Sequence, residues 1–273
     1  MSDYLATKED FEAIEEGIGT VGKKELKFIF SNSKIIERTT VISFDSQFLY
    51  LWTKEKQRPY QIPHEVSLNQ EDYAVWSTTV SKKEFLRVLP LWLANRNQFA
   101  NPVICGGLMT PFSQFHHGDP YGTKEGFLAT LVHEFAHVFW NSHKLWWYSR
   151  KEKNLRLLKT ALGLYEGRGI ISALSASLPT DAALGEVFAF CSEYTAAQLF
   201  WPGHQKNLDL FIQNRLRTLI EEEQKKNLDQ EDSVLEPTKN PHDFAFVFGK
   251  ILLAKYPQTW PKLLTQPKFR LYL

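Results

Sequence analysis

Apolar and polar positions follow two different rhythms along this chain. In the first part, apolar residues fall in short runs rich in β-branched and aromatic side chains. Glu25 to Phe30, Thr39 to Phe44, Gln47 to Thr53 and Tyr73 to Val80 read as strands, and Asp45-Ser46 supplies turn chemistry for a hairpin. Pro102 to Met109 reads as a further strand, and Thr110 to Gly122 as strand and loop. Two helices interrupt this pattern. One runs from Lys8 to Glu16 and is ended by Gly17 and Gly19. The other opens on the capping-box pattern Ser81-Lys82-Lys83-Glu84, runs to about Asn97 and is bent at Pro90.

From Thr123 onward the rhythm is helical. Thr123 is an N-cap for a helix from Lys124 to Asn141. Trp146-Trp147-Tyr148 reads as a packed loop, with an interfacial anchor as the alternative, followed by a basic amphipathic helix from about Ser149 to Tyr165. Thr180-Asp181 caps a helix to about residue 200, stopped by Pro202-Gly203. A helix with alternating charges spans about 204 to 227, and Pro241 fits the first turn of a last helix from Asp243 to Lys255. The pattern predicts an α+β chain. A strand-rich N-terminal lobe with a backing helix (81–97) and an active-site helix covers residues 1–142. An all-helical lobe covers 143–273, with a site in the cleft between them.

Composition narrows the function classes. The chain has 273 residues, 43% of them hydrophobic, enough for a substantial core. Its 32 basic and 31 acidic residues leave a net charge of +1, which gives no electrostatic case for nucleic acid. No apolar run reaches membrane-spanning length, so stable membrane insertion is not expected. Cys105 and Cys191 suggest neither a disulfide framework nor a metal knuckle, and the first ten residues lack the apolar core of a secretory signal. These features together point to a cytoplasmic protein.

The candidate chemistry is concentrated in Leu131-Val132-His133-Glu134-Phe135-Ala136-His137-Val138-Phe139. On a helix, His133 and His137 lie one turn apart, so both imidazoles leave the same face and can share one Zn²⁺. Glu134 lies beside them, placed to act as general base toward water. A catalytic zinc takes three protein ligands and keeps one open position. The candidate third ligand is Glu186, a carboxylate on an otherwise apolar helix, where it is costly unless paired or bound to a metal. Glu193, two turns on, is either a partner of a ligand histidine or a solvated helix charge. His116, His117 and His143 are poorer candidates.

His133-Glu134-Phe135-Ala136-His137 with a glutamate on a later helix resembles the gluzincin zinc metallopeptidases. Glu186-Val187-Phe188-Ala189-Phe190-Cys191-Ser192-Glu193-Tyr194 is similar to the glutamate helix of the Mlc titration factor A family, which also carries His-Glu-Phe-Ala-His. That family continues with Lys-Leu-Asp where Val138-Phe139-Trp140 stands here. The resemblance implies a zincin-like fold, one Zn²⁺ held by His133, His137 and Glu186, and Glu134 as general base. It also implies aminopeptidase-type activity on peptide substrates and a cytoplasmic location.

An oxyanion formed during hydrolysis needs a donor besides the metal. His242, at the start of the last helix, is the candidate, with Tyr165 and Tyr194 as alternatives. An extended peptide would pair with an edge strand within Leu108 to Phe115. The competing expectation is a non-catalytic regulatory or interaction protein that keeps zinc for structure or sensing.

Overall fold

The computed structural model describes residues 4–39, 41–45, 49–53, 66–69, 74–78, 103–104, 108–148, 180–229 and 241–265. The chain divides into two compact units, Met1–Val138 and Phe139–Leu273.

The first unit opens on helix α1 (Lys8–Val21), started by a capping box between Thr7 and Asp10. Asp10 is fully buried, which a carboxylate tolerates only when well supplied with donors. It accepts from the Thr7 N–H at 2.9 Å, the Thr7 hydroxyl at 2.8 Å, the Tyr4 hydroxyl and the Thr110 N–H at 3.3 Å. α1 does not stop at Gly17. A Cβ there would come within 2.3 Å of Leu131 Cδ1, so this glycine marks a close approach to the helix carrying the histidine motif.

α2 (Ser33–Arg38) follows, its first turn capped by the Asn32 side chain. Strands β1 (Val41–Phe44), β2 (Leu49–Thr53), β3 (Val66–Asn69), β4 (Ala74–Thr78) and β5 (Val103–Ile104) form one sheet in the order β3-β4-β2-β1-β5. β1 pairs antiparallel with β2, Val41 opposite Trp52 and Phe44 opposite Leu49, whereas β1 and β5 run parallel. Phe11 of α1 packs against Tyr50 and Trp52 of β2, with ring centroids 5.2 Å away in each case. The Asp45 carboxylate fixes the same layer, accepting from the Ala6 N–H at 2.9 Å and the Tyr50 hydroxyl at 2.6 Å.

The zincin-like, α+β reading with a strand-rich N-terminal lobe is overturned. The described residues are mostly helical, and the strands are only two to five residues long. Two segments account for much of the error. Glu25 to Phe30 is a 3₁₀ turn (Lys24–Leu26) and a following bend, not a strand. Its buried residues Leu26, Ile29 and Phe30 keep helical spacing rather than alternation. The expected edge strand is helix α3 (Met109–Phe115). Pro111 lies in its first turn, where a missing N–H costs nothing, whereas on a strand it would remove a ladder donor.

α4 (Lys124–Tyr148) carries the histidine motif and runs past the expected end at Asn141 through Trp146-Trp147-Tyr148. The Thr123 hydroxyl accepts from the Gly126 N–H at 3.0 Å and caps it. The division between the units falls inside this helix.

In the second unit, α5 (Thr180–Phe200) is the central element, packed by α6 (Pro202–Asp229), α7 (Pro241–Lys255) and α8 (Trp260–Thr265). Phe188 meets Trp140 and Trp260 at ring-centroid distances of 5.9 and 5.3 Å, and Phe190 meets Phe246 at 5.3 Å. The expected helices over 81–97 and 149–165, with Tyr165 and Cys105, lie outside the described residues. Among the described residues no helix is long and apolar enough to cross a membrane.

Candidate metal centre

Within the first unit, α4 is buried at Leu131, Val132, Phe135, Ala136 and Val138, none more than 4% exposed. The partly accessible positions nearby are Thr130, His133, Glu134 and His137. Their spacing of three, four and seven residues makes them one stripe along the helix. The apolar residues bury the helix, and the motif residues occupy the face left over.

His133 Nε2 and His137 Nε2 lie 3.1 Å apart, with ring planes at 72°. At this distance one nitrogen can carry a proton and the other accept it. The spacing also fits a shared metal. Two nitrogens each about 2.0–2.1 Å from a tetrahedral zinc lie roughly 3.3–3.4 Å apart. The donor set and its separation therefore suit zinc.

The second unit contributes another pair. From Leu184 to Ala197, Glu186 is the one position of α5 that is not buried, its side chain 17% exposed. Glu186 Oε2 lies 3.2 Å from His242 Nδ1. His242 is in the first turn of α7 and its side chain is 48% exposed. The neighbouring Asp243 is held by Arg215 through two bonds, Nε to Oδ1 at 2.9 Å and Nη2 to Oδ2 at 3.0 Å. The clamp fixes the turn that presents His242.

Each unit thus brings together two expected site residues: His133 with His137, and Glu186 with His242. The open question about Glu193 resolves against solvation. Glu193 is buried, with Oε1 4.0 Å from Nε2 of the equally buried His204. His204 was not foreseen. Its sequence signal is weak, because it follows Pro202-Gly203 at a helix start, where a surface residue is the default.

Two of the alternatives are engaged elsewhere, and the side chain of His143 lies outside the described residues. His116 Nδ1 lies 3.0 Å from Asp119 Oδ2, and its ring stacks near Phe112 at 4.4 Å. His117 is exposed. The Tyr194 hydroxyl donates to Asp209 at 2.9 Å and accepts from Gln205 at 2.8 Å and Lys250 Nζ at 2.6 Å. This network uses the hydroxyl that an oxyanion would need. No protein-family model, curated protein or solved structure matches this chain.

Proposed function

We propose that the protein is a zinc-dependent hydrolase of peptide bonds, binding one Zn²⁺ per chain through His133, His137 and Glu186. The observation that carries this reading is the accessible stripe on α4, with its two imidazole nitrogens 3.1 Å apart and Glu134 beside them. His133 and Glu186 each offer a ligand atom of the kind zinc takes. Bound zinc would lower the pKa of water and polarise a substrate carbonyl. The chain's own part in the chemistry falls to Glu134, whose carboxylate accepts a proton from the attacking water and delivers it to the departing amine. A structural zinc site has no use for a base there, which sets this reading above a purely regulatory one. Peptides are the proposed substrates and the cytoplasm the proposed location. The net charge of +1 favours no nucleic-acid partner.

The experiment is zinc stoichiometry and hydrolysis of a broad peptide library by wild type and Glu134→Gln. The reading requires about one zinc in both proteins, with cleavage by wild type alone. Zinc-loaded wild type that cleaves no peptide would favour the regulatory alternative, and wild type that binds no zinc would end both.

A further inference from the structure

Expectation gave His242 the part of oxyanion donor, with the metal left to three ligands. Its position favours a different part. His242 Nδ1 lies 3.2 Å from Glu186 Oε2, nearly the separation of the His133 and His137 nitrogens. Both distances are close to the roughly 3.3–3.4 Å edge expected between ligands of one tetrahedral zinc. Glu186 and His242 each offer one ligand atom.

The placement of His242 is built into the second unit. Asp243, with a side chain 1% exposed, is gripped by Arg215, which anchors the first turn of α7. Further along α7, Gly249 lies so close to α5 that a Cβ would come within 2.4 Å of Phe190 Cδ1. The contact of Gly249 with Phe190 and that of His242 with Glu186 join the same two helices, α7 and α5. The packing that holds the helices together therefore also sets the distance from His242 to Glu186.

We infer that His242 is a direct ligand of the metal that Glu186 holds. This rests on the zinc reading above. Catalytic zinc can expand to five-coordinate, so a further protein ligand is compatible with the hydrolysis proposed above.

The test uses the full chain loaded with zinc alone, in wild type, His242→Ala and His242→Gln. X-ray absorption counts imidazoles around the metal, and chelator competition gives affinity. Loss of a group that merely supports a ligand costs about 10- to 100-fold in metal affinity, so loss of a ligand should exceed ~100-fold. The expected result is one imidazole more around the metal in wild type than in either variant, and that larger loss of affinity, with unchanged circular dichroism. The same imidazole count in all three proteins, with variant affinities within about threefold, would overturn His242 as a ligand while leaving the zinc reading intact. Absence of zinc from wild type would overturn both.

Discussion

Arg215 and Asp243 form a two-pronged ion pair, 2.9 and 3.0 Å, across α6 and α7. The two ends differ in exposure: Asp243 is 1% exposed at its side chain and Arg215 35%. Removing the arginine would leave a buried carboxylate without its charge partner. Arg215→Met should destabilise the protein by about 2–3 kcal/mol, below the ~3–5 of a fully buried pair because Arg215 is partly solvated. Arg215→Met with Asp243→Asn should recover part of the loss. Urea unfolding would measure both, and equal loss in the single and double variants would reject this account.

Gly249 makes the second stability prediction. A methyl group there meets Phe190 Cδ1 at 2.4 Å and Cys191 Sγ at 3.2 Å in a fully packed interior. Gly249→Ala should cost about 1–3 kcal/mol despite alanine's better helix propensity. A melting temperature at or above that of wild type would show that the helices part without penalty.

Lys250 gives a pH signature. Burial alone would lower its pKa, but hydrogen bonds to Asp209 and Tyr194 and their charges reverse this and raise it. A raised folded value means the lysine's contribution is complete below the unfolded pKa, about 10.4, and is lost as pH rises through the folded value. Wild type should therefore be more stable than Lys250→Met by a constant margin up to about pH 10, and the margin should shrink above it. Denaturation of both proteins from pH 7 to 12 would check this, and a margin that stays flat to pH 12 would contradict it.

Cys191 should be chemically silent in the native state. Burial pushes its thiol well above the usual range, and its Sγ lies 3.7 Å from the Gly249 carbonyl. The thiolate is the reactive form, so alkylation at pH 8 should mark Cys191 only in denaturant. Peptide mass spectrometry would locate the label, and native labelling at the denatured rate would show that α5 opens readily.

The helices around the motif were legible because their signals are local. Thr123 caps α4, Thr180 begins α5, and Pro241 opens α7. The pairing of His133 with His137 follows from helical periodicity alone. Other features depend on distant partners. α3 has no side-chain cap of its own, and Asp10, a hundred positions away, receives the Thr110 N–H. No local pattern supplies that bond, which is why the segment reads as a strand from its sequence. Gly17 was expected to end α1, yet it is there because Leu131 comes close. The contact of His242 with Glu186 depends on how α5 and α7 pack, which their separate sequences do not display.

The passage of α4 through the limit of the first unit bears on how this protein can be dissected. A recombinant fragment ending at Val138 would break about four main-chain hydrogen bonds of a continuous helix. It would also cut one residue beyond His137 and leave Phe139 and Trp140, 1% and 3% exposed in the whole chain, as the ragged start of the other piece. Neither half would be a faithful miniature of the protein. A fragment meant to retain the histidine pair should extend at least to Tyr148, the last described residue of the helix.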